Sequence, residues 1–73
     1  MKKTIFSQEH KLLVARLKKA REEMGFQQQD VARLLKTTQS YVSKLESGQR
    51  RLDIIQIKSL AKIYKKSLDY FIS

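Results

Sequence analysis

The chain has 73 residues, of which 16 are lysine or arginine and seven are aspartate or glutamate, so its formal net charge is +9. This length predicts one domain over residues 1–73, and the lack of cysteine excludes disulfides and thiolate metal sites. No apolar run reaches the roughly 20 residues of a membrane span, so we expect a cytoplasmic protein whose positive charge favours nucleic acid as partner, with an anionic membrane surface second.

The composition predicts an all-α fold. The chain has no proline and two glycines, and no stretch alternates apolar and polar residues long enough to make a strand. Ser7 is the predicted N-cap of the first helix, after a short apolar patch at Thr4-Ile5-Phe6. Five helices are predicted at about residues 8–24, 28–35, 39–47, 53–64 and 68–72.

Apolar spacing and capping residues define these helices. The predicted N-caps are Thr38, Asp53 and Ser67, and Gly25 and Gly48 are the predicted stops of the first and third helices. The apolar stripes are Leu13, Leu17, Ala20 and Met24 in the first helix, Ile54, Ile57, Leu60, Ala61 and Tyr64 in the fourth, and Leu68, Phe71 and Ile72 in the fifth.

The segment QQDVARLLKTTQSYVSKL, residues 28–45, is the most informative part of the chain. Apolar residues at Val31, Leu35, Val42 and Leu45 predict two short helices that pack across each other, with the small Ala32 at the crossing. The second of these helices then has an outer face of Gln39, Ser40, Ser43 and Lys44. Such side chains hydrogen-bond to base edges, and a polar helix of this kind suits the major groove of DNA.

Three longer segments carry a family resemblance: LKKAREEMGFQQQDVA at 17–32, SYVSKLESGQRR at 40–51 and SLAKIYKKSLDYF at 59–71. From about Leu12 to Ile72 the chain resembles the lambda-repressor-like helix-turn-helix family of the Cro and Xre type. The resemblance implies a five-helix DNA-binding domain, usually dimeric, that regulates transcription, for example as a repressor.

The resemblance also implies roles for individual residues. Gln39, Ser40, Ser43 and Lys44 match the base-reading face, and Gln28, Thr38, Tyr41, Arg50 and Arg51 match or adjoin positions that contact the DNA backbone. Arg21 and Glu46 match a structural salt bridge between the first and third helices.

The chain departs from the family pattern at several turns. Gln27 replaces the usual Ser or Thr cap of the second helix, and Leu52 replaces a frequent proline. Lys36 stands in a turn where glycine is common, and Lys65-Lys66 replaces a frequent Gly-Val pair. A left-handed residue other than glycine costs roughly 1 kcal/mol, so Lys36 is an expected site of strain.

Nothing in the pattern favours catalysis. Glu22 and Glu23 are adjacent and point in different directions on a helix, and no glycine-rich phosphate loop or nucleophile–base pair is recognisable. His10 is the only histidine, so no metal site is expected. We predict no enzyme activity, cofactor or small-molecule ligand.

Three apolar residues lie off the main stripes, namely Ile55, Ile63 and Tyr70. We interpret them as the seam of a homodimer, although scattered surface apolar residues are also normal. The leading hypothesis is a dimeric regulator that binds double-stranded DNA, either as a stand-alone protein or as the excised domain of a longer repressor. The alternatives are an antitoxin-type regulator that also binds a protein partner, and a basic peptide that binds membrane surfaces.

Overall fold

The computed structural model describes residues 8–72, which form five α-helices without a strand in that range. The helices are α1 (Gln8–Glu23), α2 (Gln28–Leu35), α3 (Gln39–Glu46), α4 (Ile54–Tyr64) and α5 (Leu68–Ile72). The all-α, five-helix prediction is confirmed. The predicted apolar patch at residues 4–6 and the Ser7 cap lie outside the described residues.

A glycine after α1 and capping hydrogen bonds at the starts of α2 and α3 define where these helices end or begin. Gly25, at a φ of 76°, follows α1 in the left-handed conformation that a side chain disfavours. The N-terminus of α2 is capped through Asp30, whose carboxylate accepts a hydrogen bond of 2.8 Å from the backbone N–H of Gln27. At α3, the hydroxyl oxygen of Thr38 accepts from the backbone N–H of Tyr41 at 3.1 Å, so the predicted cap is confirmed.

The start of α4 is fixed by two reciprocal hydrogen bonds. The backbone N–H of Gln56 donates to Asp53 Oδ1 at 2.8 Å, and the backbone N–H of Asp53 donates to Gln56 Oε1 at 2.9 Å. This capping box satisfies N–H groups that have no partner inside the helix. At α5, Ser67 Oγ accepts from the backbone N–H of Tyr70 at 3.3 Å.

Two helices end at a lysine in the left-handed conformation. Lys36 closes α2 with φ 58° and ψ 46°, and Lys65 closes α4 with φ 56° and ψ 42°. In both turns the backbone N–H of the lysine bonds to a carbonyl of the last helical turn, so the geometry is that of a glycine cap. Both lysines place a positive charge near a helix C-terminus, where the helix dipole favours it.

The core lies between all five helices. Its buried apolar side chains are Leu17, Ala20, Val31, Ala32, Val42, Leu45, Ile57, Leu60, Ala61, Tyr64 and Phe71. Helices α2 and α3 pack closely on each other at Val31, Ala32, Val42 and Leu45, as their spacing predicts. Leu35 is only half-buried beside this cluster. This packing turns one face of α3 inward and leaves the opposite face at the surface.

Four predictions about burial need correction. The apolar stripe of α4 includes Ile54, but 46% of the surface of this residue is exposed at the first position of the helix. Ile72, the last residue of α5, is 52% exposed. In the first predicted stripe, Val14 is buried, whereas Leu13 and Met24, which follows α1, are half-buried.

The strained turn after α2 gives a test of the backbone geometry. We expect Lys36→Gly to have a free energy of unfolding about 1 kcal/mol higher than Lys36→Ala, because only glycine adopts a positive φ without crowding of its Cβ. Both variants lose the same charge, so alanine is the matched control. Urea unfolding followed by circular dichroism measures the difference, and equal stabilities would contradict a left-handed Lys36.

Candidate nucleic-acid interface

The outer face of α3 carries the four polar residues that the sequence analysis assigned to base reading. Gln39, Ser40, Ser43 and Lys44 are all exposed, whereas Val42 and Leu45 on the same helix are buried. At about 100° per residue, the four exposed positions span an arc of about 140°. The structure therefore brings these side chains together on one accessible strip of the helix.

Thr38 lies at the exposed N-terminus of α3. Its hydroxyl oxygen accepts the hydrogen bond from the Tyr41 backbone N–H, and the hydroxyl proton is available for a second bond. A hydroxyl that caps a helix and donates outward is suited to a phosphate oxygen. The position of Thr38 is thus compatible with the backbone contact that the sequence predicted.

Tyr41 links α3 to the loop and helix that follow it. The guanidinium of Arg50 lies over the Tyr41 ring, 4.9 Å from its centroid, and the side-chain amide of Gln56 donates a hydrogen bond to the Tyr41 hydroxyl. Arg50 and Arg51 are both exposed in the loop between α3 and α4. The structure therefore places Arg50 beside α3 through a specific aromatic contact.

Gln56 is a residue of this interface that sequence reasoning missed. Its spacing from Asp53 matches a capping box, which predicts a role at the start of α4. Its amide nitrogen has a second role, because it also donates to Tyr41 on another helix. No sequence signal indicated that contact, since it depends on the path of residues 47–53.

Gln28, at the start of α2, was predicted to contact a phosphate. The structure shows it half-buried, and its amide nitrogen donates to Glu46 Oε1 at 3.1 Å. An amide nitrogen has two hydrogens, so one remains for an outside acceptor. Gln28 thus joins the first turn of α2 to the last residue of α3.

Arg21 and Glu46 form an ion pair between α1 and α3. Arg21 Nε donates to Glu46 Oε2 at 2.7 Å and Nη2 donates to Oε1 at 3.1 Å, with side-chain exposures of only 12% and 6%. Arg21 Nη1 also donates to the carbonyl oxygen of Phe26 at 2.8 Å. The hydrogen bond to Glu46 raises the pKa of Arg21, and burial raises the pKa of the nearby Tyr64 hydroxyl.

The predicted dimer seam is less uniform than the sequence suggested. Ile55 is 65% exposed, whereas Ile63 and Tyr70 are half-buried and pack against the core. Ile55, Ser59 and Ile63 follow each other at intervals of four along α4, so they form one row. Beside this row is an open groove lined in part by Leu35, Leu45 and Leu60.

Comparison with known families identifies the fold. A family model described as Helix-turn-helix matches residues 17–71, which is most of the chain. The chain belongs to this family of DNA-binding regulators, the Cro/C1 type, and the resemblance seen in the sequence is confirmed. This is a regulatory domain family and not a family of enzymes.

Neither the curated proteins nor the solved structures gave a match. Within residues 8–72, no helix is long and apolar enough to cross a membrane. Over the same range, no group of three or more histidine, cysteine, aspartate or glutamate side chains is arranged to hold a metal ion.

The ion pair beneath the interface can be tested by a double-mutant cycle. We expect Arg21→Met to lower the free energy of unfolding by about 3 kcal/mol, at the lower end for a buried pair, because it leaves the partly buried Glu46 carboxylate without its cation. The double variant Arg21→Met/Glu46→Leu should recover much of this loss, since it removes both charges. Urea unfolding of the single and double variants measures the coupling. Additive losses would contradict a direct contact in solution.

Proposed function

We propose that this DNA-binding regulator recognises a palindromic operator as a homodimer, with α3 of each copy in the major groove. The observation that carries the proposal is the division of α3 into a buried apolar face and an exposed face of four polar side chains. A helix held in this way by α2 can enter a groove without losing its own packing. We expect the protein to act in the cytoplasm.

Base reading is assigned to the exposed face of α3. Gln39 opens the helix, and its amide can pair bidentately with N6 and N7 of adenine. Lys44 lies about 140° further round the helix, so it meets a different base, and its charge favours O6 and N7 of guanine. Ser40 and Ser43 lie between them and can donate to or accept from base edges. These contacts would supply the sequence specificity.

Affinity is assigned to contacts with the phosphate backbone. Thr38 and Tyr41 flank the reading face, and the Arg50 side chain lies against Tyr41. Arg51 follows in the same exposed loop, and Gln28 lies at the N-terminus of α2, where free N–H groups and the helix dipole favour an anion. Phosphate contacts fix the register of the helix on DNA but carry little sequence information.

Dimerisation is assigned to the row of Ile55, Ser59 and Ile63 on α4, together with Tyr70 on α5. Among residues 8–72, Ile55 is the most exposed of the large apolar residues, and Ile63 and Tyr70 extend the apolar surface toward the core. A two-fold axis through this surface would present two α3 helices to successive major grooves, about 34 Å apart. That geometry requires an operator with two inverted half-sites.

Selection of bound sites from a random DNA library tests the reading face. We expect Gln39→Ala to lose the base preference at one position of each half-site, by about 1–3 kcal/mol, with little effect on non-specific binding. Lys44→Ala should lose the preference at another position and also weaken the salt dependence, because it removes a charge.

Two residues of α1 supply the controls for this experiment. Gln8→Ala and Lys19→Ala make the same chemical changes at exposed positions outside the helix-turn-helix, and they should leave the selected motif unchanged. If the Gln39 and Lys44 variants select the same motif as the parent protein, α3 is not the reader. A parent motif without inverted repeats would contradict the palindromic operator.

Sedimentation velocity at micromolar concentration tests the dimer. We expect Ile55→Glu to weaken association strongly, because it would bury two carboxylates close to the two-fold axis. Leu12→Glu makes a comparable change at a half-exposed position of α1 and should associate normally. The seam is wrong if Ile55→Glu forms dimers as the parent does, or if the parent remains a monomer on its selected DNA site.

A further inference from the structure

Arg50 differs from two other arginines in how its guanidinium is held. Arg21 donates in-plane N–H groups to Glu46 and Phe26, and Arg33 Nη2 donates to Asp30 Oδ1 at 2.5 Å. Arg50 instead has its guanidinium carbon over the Tyr41 ring, 4.9 Å from the ring centroid. A cation–π contact of this kind leaves N–H donors of the guanidinium available to an anion.

The ring that holds Arg50 is itself fixed from two helices. The backbone N–H of Tyr41 bonds to Thr38 at the start of α3, and its hydroxyl accepts from the Gln56 amide on α4. Gln56 is fixed in turn by the reciprocal hydrogen bonds with Asp53. A chain of contacts therefore leads from the cap of α4, through Tyr41, to a guanidinium in the exposed loop.

We propose that Tyr41 is a positioning residue, whose ring holds the Arg50 guanidinium in place to bind a DNA phosphate. This inference rests on the proposed function and assigns Tyr41 a role beyond a backbone contact of its own. A long arginine side chain loses rotamer freedom when it binds, and holding it beforehand lowers that cost. The ring contacts the guanidinium from one side, so N–H donors turned away from the ring can reach a phosphate.

The same geometry explains why the position suits arginine better than lysine. A lysine ammonium is a compact point charge without the planar fork of donors, so it cannot make the bidentate contact with a phosphate that arginine can. We therefore expect Arg50→Lys to keep the salt dependence of binding, because the charge is unchanged, but to bind DNA more weakly. Arg50→Ala should reduce the slope of log affinity against log salt by about 1.

A double-mutant cycle between the two residues tests the proposal. The probe is a fluorescently labelled DNA duplex of mixed sequence, titrated at several salt concentrations. Loss of the cation–π contact in Tyr41→Leu should contribute about a two- to fivefold fall in affinity in the parent background, and the total loss should be smaller by this factor in the Arg50→Ala background. Tyr41→Phe keeps the ring but loses the hydroxyl that Gln56 contacts, so it should lose less affinity than Tyr41→Leu.

A measurement without DNA separates the positioning step from the binding step. Nuclear magnetic relaxation of the Arg50 Nε–H group should show greater mobility in Tyr41→Leu than in the parent or in Tyr41→Phe. Circular dichroism and thermal unfolding establish that each variant is folded at the temperature of the titration.

These experiments distinguish failure of the Tyr41 inference from failure of the phosphate contact assigned to Arg50. If Arg50→Ala weakens binding but Tyr41→Leu costs the same in both backgrounds, Tyr41 does not act through Arg50 and the inference is wrong. Equal losses for Tyr41→Phe and Tyr41→Leu would also overturn it, since the hydroxyl and not the ring would then matter. If Arg50→Ala leaves affinity and salt slope unchanged, the phosphate contact in the proposed function fails, and the inference fails with it.

Discussion

The Arg21 guanidinium joins the first three helices at one point. It belongs to α1, donates two hydrogen bonds to Glu46 at the end of α3, and donates a third to the Phe26 carbonyl between α1 and α2. Gln28, in α2, donates a hydrogen bond to the same Glu46 carboxylate and so connects α2 to this point. Because a buried ion is costly without a partner, this arrangement tolerates little displacement of any of the three helices. The orientation of α3, on which any reading of DNA depends, is therefore set at its C-terminal end by charge and along its length by apolar packing.

The N-terminal end of α3 is held by a different set of contacts. Thr38 caps the helix, and Tyr41 connects its first turn to Gln56 of α4. These contacts are polar and lie at or near the surface. The exposed polar strip of α3 lies between a partly buried ion pair at one end and this polar group at the other. The arrangement gives a small domain a rigid helix at its surface with few residues.

The sequence predicts the helices well because each boundary has a local chemical cause. Gly25, Thr38 and Asp53 act on the backbone within one turn of their own position, so no tertiary information is needed to place them. The pairing of Arg21 with Glu46 came from family resemblance, and the structure places the two side chains in contact. Burial at the helix ends was predicted less well. Ile54 continues the apolar stripe of α4, but whether another helix covers it depends on the packing of the whole domain.

Within the site, helical periodicity predicts which residues of α3 are exposed and the family resemblance assigns them to base reading, whereas the contacts around Tyr41 could not be predicted. They require the loop from residue 47 to residue 53 to return along α3, and no residue pattern specifies that path. Gln56 matches the spacing of a capping box, which is satisfied within its own helix and gives no sign of a partner on α3. Long-range polar contacts of this kind depend on three-dimensional proximity, which neither spacing nor composition encodes.

Gln28 has a consequence for how such a domain can evolve. One hydrogen of its amide is engaged by Glu46, and the other is the one assigned to DNA. With that assignment, the same side chain bonds to Glu46 inside the domain and to the DNA operator outside it. Its position then depends on Arg21, which lies in α1, outside the helix-turn-helix. Substitutions in α1 that loosen the pair would then shift Gln28 and reduce occupancy of the operator while the domain is still folded. Natural variation in α1 would then be limited by the need to bind the operator as well as by the need to fold.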